Sequence, residues 1–118
     1  MPTTRNNGPR GGDETGISAT VIFELLANER RQLALQYLTS TAGAISLAEL
    51  ANQIALWEDE HTKERYEQIC TSLVHVHLPK LVDVGVARYD RTRETIELQE
   101  RADRFIPFLE LAAAADSP

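Results

Sequence analysis

The chain has 118 residues, 42% of them hydrophobic, which fits one domain with one core and excludes the disordered class. It has no apolar run of the roughly 18 residues that a bilayer span needs and no leader-type N-terminus, and the single cysteine, Cys70, excludes an internal disulfide framework. The formal charge is −6, and only Lys63 and Lys80 among the basic residues are lysines. We therefore expect a cytoplasmic protein. Its acidic, lysine-poor composition suggests adaptation to high salt, although a GC-rich genome alone would also favour arginine over lysine.

Residues 1–16 are rich in Gly, Asn, Thr and Pro and almost free of large apolar side chains. This composition predicts a flexible N-terminal arm. A basic arm can enter a minor groove, but Asp13 and Glu14 nearly balance Arg5 and Arg10, so a plain tail is favoured.

Two capped helices are predicted next. Ser18 precedes a helix through "ATVIFELLA", and Asn28 precedes a second through "ERRQLALQYLTS". A bend near Asn28 lets the two helices wrap a small core. The apolar faces are Ile22, Leu25 and Leu26 in the first helix and Leu33, Tyr37 and Leu38 in the second.

A short strand over Ala44–Ser46 and a third helix follow. Ser46 and Glu49 have the spacing of a capping box, and the acidic cluster "EDEH" ends the helix after Trp57. The apolar face has the regular spacing of a core-facing helix and comprises Leu47, Leu50, Ala51, Ile54 and Ala55.

A longer helix is predicted roughly from Thr62 to Val84. Pro79 cannot donate a hydrogen bond to residue 75 and should bend the helix, and Gly85 suits a left-handed C-terminal cap. The face predicted to be buried comprises Tyr66, Ile69, Cys70, Leu73, His77 and Leu81.

Two short strands and a terminal helix complete the chain. "VARYD" and "TIELQ" are β-type runs with Ile96 and Leu98 pointing inward, and the turn "RTRE" lacks glycine, which predicts a loop longer than two residues. In "ERADRFIPFLELAAAA", Pro107 either kinks the helix or starts a second segment. The order predicts a mainly α fold with a small β-hairpin wing, a winged helix-turn-helix domain at 17–99 with an added C-terminal helix at 100–118.

The segment "TSLVHVHLPKLVDVGVARYD" resembles the small winged helix-turn-helix regulators of the ArsR, PadR and MarR type. In these regulators a short sequence pattern joins the recognition helix to the wing. The residues that match it here are His77, Leu78, Leu81, Gly85 and Val86. "LANERRQLALQYL" and "ISLAELANQIALWE" resemble the corresponding helices of small haloarchaeal regulators, so the likeness covers about residues 20 to 98. The resemblance implies a sequence-specific DNA-binding transcriptional regulator that acts as a homodimer on a palindromic operator in double-stranded DNA.

Candidate DNA contacts lie on the long helix and on the hairpin. Their side chains can bind bases or phosphates in the major groove, along the backbone or in the minor groove. They are Arg65, Gln68, Thr71, Ser72 and His75 on the outward stripe of the helix, Lys80 after it, and Arg88, Arg91 and Arg93 on or near the wing. Because phosphate contacts weaken with salt, we expect base contacts, apolar contacts and salt ions trapped beside the acidic residues to carry more of the affinity, and a shallow salt dependence.

Phe105, Phe108, Leu109 and Leu111 of the terminal helix are predicted to join two protomers, with a contribution from the first helix. Cys70 on the apolar face is interpreted as a packing residue. His75 and His77 lie two positions apart on a helix and cannot clasp one metal ion together, and His77 shares the buried face. No motif for catalysis or cofactor binding was found, so we expect a non-enzymatic protein without cofactor or metal.

Two other functions stay open at this stage. The acidic residues near the start of the long helix, from Glu58 to Glu67, oppose DNA at ordinary salt and would suit a winged-helix adaptor that binds proteins. A sensor with a ligand pocket at the dimer interface is the third alternative.

Overall fold

The polypeptide is mainly helical and carries one small antiparallel sheet, as the sequence predicts. The structure is a computed structural model that describes residues 17–116, so the arm expected at residues 1–16 lies outside the described residues. The helices are α1 (Ala19–Leu26), α2 (Glu29–Thr39), α3 (Leu47–Trp57), α4 (Lys63–Ser72), α5 (Leu78–Asp83) and α6 (Ile106–Asp116), with a π-helical segment at Leu73–His77 and a 3-10 helix at Glu100–Phe105. The strands are β1 (Ile45–Ser46), β2 (Ala87–Asp90) and β3 (Thr95–Leu98).

Side-chain caps open the first four helices and satisfy a backbone N–H in each first turn. The caps of α1, α2 and α3 are those predicted from the sequence. The acceptors are the side-chain oxygens of Ser18, Asn28, Ser46 and Thr62, and the donors are the N–H groups of Val21, Arg31, Glu49 and Arg65 at 3.0 to 3.3 Å.

The core is built around α3, whose five predicted apolar residues are all buried. The predicted face of α2 is rotated, because only Leu38 of its three residues is buried, while Leu33 and Tyr37 are half-buried. The residues of α2 that are buried are Arg31, Ala34, Leu35 and Leu38. Tyr37 instead packs its ring edge-on against Trp57 and donates its hydroxyl hydrogen to the Glu49 carboxylate.

One continuous helical segment runs through α4, the π segment and α5. The N–H of Leu78 donates to the carbonyl of Leu73, five residues back, immediately before Pro79. Pro79 was expected to bend the helix because it lacks an N–H, and the wide turn is how the chain accommodates it.

The helix ends at the glycine that the sequence marks. Gly85 has φ +77°, the left-handed conformation that favours glycine. The N–H of Val86 donates to the Leu81 carbonyl at 2.9 Å and that of Gly85 to the Val82 carbonyl at 3.0 Å, which together form a Schellman motif.

The sheet has the order β1-β3-β2 and is antiparallel throughout. Ile96 on the central strand pairs with Ile45 on one side and Tyr89 on the other, and its side chain is fully buried. The β2–β3 hairpin has the longer loop predicted from its sequence, residues 91–94, and the Asp90 carboxylate accepts two backbone N–H groups within it.

These elements form a winged helix-turn-helix: α3 and α4 are the helix pair, and the β2–β3 hairpin is the wing. Pro107 is the second residue of α6, so the terminal region divides into a 3-10 turn and a helix, which is one of the two predicted arrangements. No helix in residues 17–116 is both long and apolar enough to cross a bilayer.

Candidate nucleic-acid interface

The second helix of the helix pair, residues 63–83, is called the recognition helix here by its position in the winged helix-turn-helix fold, and it has one stripe of side chains exposed to solvent along its length. Gln68, Thr71 and His75 lie on it, as predicted, and Pro79 and Val82 continue it toward the wing. The Thr71 hydroxyl donates to the carbonyl of Glu67, one turn earlier, at 2.9 Å. The polar part of this stripe offers both donors and acceptors to a groove.

Arg65 and Ser72 do not belong to this stripe, which corrects the sequence interpretation. Both face α2, where Arg30 donates to Glu58 through Nε and Nη2 at 2.7 and 2.9 Å and to the Ser72 hydroxyl at 3.0 Å. Arg65 donates to Glu58 at 3.0 Å and to Glu60 at 2.7 Å. These contacts tie α2 to the turn after α3 and to the recognition helix, so Arg65 and Ser72 position that helix.

This network also neutralises part of the acidic charge that is unfavourable for DNA binding. The hydrogen bond from Arg30 holds the pKa of Glu58 below its ordinary value, so the carboxylate is ionised and sits between two guanidinium groups. Glu60 shares Arg65. The acidic residues of the region that stay exposed without such a partner in the described chain are Asp59, Glu64 and Glu67.

The wing presents three arginines in two different states. Arg88 on β2 pairs with Glu97 on β3 at 3.2 Å, where both side chains are exposed. Arg91 and Arg93 lie in the exposed loop, and within residues 17–116 their guanidinium groups have no ion-pair or hydrogen-bond partner. These two side chains are therefore free to bind an anion.

His77 is a core residue, as the sequence predicts. It is 4% exposed, and its Nδ1 lies 3.4 Å from Nη1 of Arg31. Burial, reinforced by the positive charge of Arg31, lowers the pKa of His77 to about 4, so the ring is neutral at pH 7 and Nδ1 accepts the hydrogen bond. His75 lies on the exposed stripe, so the two histidines have different surroundings.

Arg31 connects three helices around this histidine. Its Nε donates to the Leu25 carbonyl at 2.7 Å and its Nη2 to the Glu24 carbonyl at 3.2 Å, which satisfies two carbonyls in the last turn of α1. Arg31 itself belongs to α2, and His77 belongs to the recognition helix.

Lys80 and Cys70 are two further residues that the sequence singled out. Lys80 is exposed on α5. Cys70 is half-buried against the core, and burial raises the pKa of its thiol, which favours the unreactive protonated form. The packing role predicted for Cys70 fits this position.

The four residues assigned to dimerisation divide into two pairs. Phe105 and Leu109 are 0% and 5% exposed and lie in the protomer's own core, so they present almost no surface to a second copy. Leu111 is 70% exposed. Phe108 packs edge-to-face on Phe23 of α1 with ring centroids 5.2 Å apart, and Phe23 is itself 57% exposed.

The sequence interpretation missed the residues that hold the recognition helix, namely Arg30, Glu58 and Arg31. The sequence carries one signal for them. Arg30 and Arg31 lie near the start of α2, whose apolar face is incomplete, and Glu58 directly follows the last residue of α3. Only the packing of α2 on α3 and α4 brings these charges together.

Residues 23–97, well over half of the chain, match the family described as "Domain of unknown function (DUF7344)". The matched segment begins within α1 and ends in β3, so it contains the helix pair and the wing. No significant match was found among curated proteins or among solved structures. The chain therefore belongs to the DUF7344 family.

Proposed function

We propose that this protein is a non-enzymatic, cytoplasmic DNA-binding transcriptional regulator that acts as a homodimer on a palindromic operator. One observation carries the proposal. The exposed stripe of the recognition helix begins with the polar side chains of Gln68, Thr71 and His75 and continues through Pro79 and Val82 to a crevice that Arg91 of the wing also lines. Within residues 17–116 the guanidinium groups of Arg91 and Arg93 have no ion-pair or hydrogen-bond partner. A helix for the major groove and a cationic wing for the backbone are the two contacts that a winged helix makes with a duplex.

Homodimerisation is proposed through α1 and α6. Phe23, Phe108 and Leu111 form an apolar surface that the protomer leaves partly uncovered. In sedimentation experiments we expect Leu111→Glu to shift the protein toward monomer, because it would bury a charge in the interface. A dimer that is as stable in the variant as in the wild type would place the interface elsewhere.

The number of free arginines predicts the salt dependence of binding. Two per protomer give four phosphate contacts in a dimer, and at about 0.9 per contact the slope of log K against log salt is about −3.6. This is shallow beside the slope of about −10 of a repressor that makes many phosphate contacts. A measured slope near −10 would contradict the assignment of the contacts.

The direct test is selection from random duplex DNA by the purified full-length protein in roughly molar KCl. We expect a palindromic motif, and we expect Arg91→Ala/Arg93→Ala to weaken its recovery. Arg88→Ala is the matched control, because it removes the same charge from the same hairpin but from a side chain that is paired with Glu97. Failure of a folded, dimeric protein to select any duplex would refute the proposal.

A protein-binding winged helix is the second candidate. The observation that favours it is the exposed acidic set of Asp59, just before the recognition helix, and Glu64 and Glu67, in the first two turns of that helix. A cross-linking experiment in cells distinguishes the two candidates: a partner bound through these residues, lost in Glu64→Gln/Glu67→Gln, would support the adaptor, whereas recovery of chromosomal DNA would support the regulator.

A further inference from the structure

The exposed stripe of the recognition helix changes character along its length. Gln68, Thr71 and His75 are polar, whereas Pro79 and Val82 are apolar, and Val82 is 42% exposed. This apolar end is the part of the stripe that lies next to the wing. Readout of base edges by hydrogen bonds needs the polar end, so the apolar end must make a contact of another kind.

The apolar end forms one wall of a crevice of about 220 Å³ between α5 and β2. Leu78, which is 1% exposed, and the half-buried Tyr89 lie within it, and Arg91 of the wing loop contributes a free guanidinium group. The complete lining is Val74, Leu78, Pro79, Val82, Tyr89 and Arg91. The crevice is smaller than the roughly 300–1,000 Å³ of ordinary small-molecule sites.

We propose that this crevice receives the deoxyribose face of one duplex strand while Arg91 binds the adjoining phosphate. A DNA strand alternates apolar sugar faces with anionic phosphates, and the crevice sets an apolar surface next to one cation. The charge and polarity of the two surfaces are therefore complementary. This inference rests on the DNA-binding function proposed above and assigns one of its contacts.

The crevice supplies a type of affinity that salt does not weaken. Phosphate contacts lose affinity as salt rises because the condensed counterions that they displace gain less entropy when they are released into a more concentrated salt solution. Burial of apolar surface is not weakened by salt, and strongly hydrated salts strengthen it. An apolar contact beside an arginine would therefore keep binding in conditions where the arginine alone contributes little.

The test compares equilibrium binding of full-length variants to the selected duplex at several KCl concentrations, by fluorescence anisotropy. Val82→Ser removes the apolar wall at an exposed position. Val76→Ser is the matched control, because Val76 is 43% exposed on the same helical segment and does not line the crevice. Circular dichroism melting establishes that each variant is folded.

We expect Val82→Ser to lower the affinity of the dimer by roughly tenfold at every KCl concentration, with the salt slope unchanged. Arg91→Ala removes one phosphate contact from each protomer, so the slope should become shallower by about 1.8 and the loss of affinity should shrink as KCl rises. Val76→Ser should bind as the wild type does.

Three outcomes overturn the inference. Equal affinities for Val82→Ser and Val76→Ser would show that the crevice contacts nothing. A loss in Val82→Ser confined to duplexes with thymine at one position would assign the contact to a base methyl group instead of a sugar. If the wild type itself selects no duplex, the proposed function fails and this inference fails with it, which separates that case from the first two.

Discussion

Replacement of Glu58 by glutamine tests whether the Arg30–Glu58–Arg65 network holds the recognition helix in place. The substitution keeps the shape of the side chain and removes the charge that binds both arginines. The exposed fraction of the side chain is 23% for Arg30, 16% for Glu58 and 29% for Arg65. Hydrogen bonds to charged groups contribute about 1.5–3 kcal/mol when shielded from water, and exposed ion pairs contribute about 0.2–1 kcal/mol. At this intermediate exposure we expect Glu58→Gln to lower the free energy of unfolding by about 2 kcal/mol.

Urea unfolding followed by far-UV circular dichroism measures this change. For a domain of about 100 residues the loss corresponds to a fall in Tm of about 8–16 °C. Glu97→Gln is the control, because its partner Arg88 is 71% exposed and Glu97 is 43% exposed, so the same chemical change should cost less than about 0.5 kcal/mol. The reasoning is refuted if the two variants lose the same stability.

The pH dependence gives the same prediction an independent check. The folded-state pKa of Glu58 is lowered, mainly by the hydrogen bond from Arg30, so its stabilising contribution is complete above the unfolded value of 4.5 and is lost as pH falls through the lower folded value. The difference in stability between wild type and Glu58→Gln should therefore be constant near neutral pH and should shrink in acid. A difference that persists at low pH would indicate a packing effect of the amide rather than loss of a charge.

Two further predictions concern the buried histidine and the end of the recognition helix. The pKa of His77 is about 4 in the folded chain and 6.5 in the unfolded chain, so the unfolded state binds the extra proton first and stability falls as pH drops from 6.5 toward 4. Linkage gives a fall of about 1 kcal/mol in the free energy of unfolding of the wild type between pH 7.0 and 5.5. Urea unfolding at the two pH values should show no such fall in His77→Gln. An equal fall in both proteins would show that other groups cause it. Gly85→Ala places a Cβ in a left-handed conformation 3.4 Å from the Arg101 side chain and should cost about 1–2 kcal/mol, whereas Gly43→Ala has the same backbone strain with no atom within 4 Å of the new Cβ. Arg101 donates to the Val84 carbonyl at 3.1 Å. If Gly85→Ala loses more stability than Gly43→Ala, part of its cost comes from disturbing that contact. If neither variant loses stability, the strain argument is contradicted.

The sequence predicts the parts of the fold that depend on neighbours along the chain. Ser18, Asn28 and Ser46 begin helices because a short polar side chain reaches the N–H group three residues on. The apolar spacing in α3 identifies its buried face, and Gly85 marks the end of the recognition helix. These signals are local, so one sequence is enough to read them.

The parts that the sequence does not predict depend on packing between distant segments. Arg30 and Glu58 lie 28 residues apart in the chain, and Arg31 and His77 lie 46 apart, so no spacing rule links them. The buried face of α2 includes Arg31, an arginine that periodicity assigns to solvent. For the same reason, Arg65 and Ser72 were assigned to the DNA-facing stripe, since a helical projection cannot show that α2 covers one side of α4.

Central placement of β3 was likewise not apparent from the sequence. The hairpin β2–β3 follows from two β-type runs and a turn, but the two-residue strand β1 comes from a segment about fifty residues earlier and pairs with β3 rather than with β2. This pairing places β1, which leads directly into α3, beside the wing. The helix pair and the wing are thus held in one unit by backbone hydrogen bonds.

The π turn at Leu73–His77 means that the recognition helix has two rotational phases. A turn with i→i+5 bonding holds more than the 3.6 residues of an α-helical turn, so side chains after it are rotated relative to those before it. If the same residues closed into α-helical bonding instead, the turn would hold one residue fewer, and Gln68 and Thr71 would rotate by about 100° relative to Pro79 and Val82. The i→i+5 bonding of this one turn therefore sets the angle between the polar end of the helix and the wing. In the proposed DNA complex, a change of that bonding would alter which base pairs the helix can reach without replacing any of the side chains proposed to contact them.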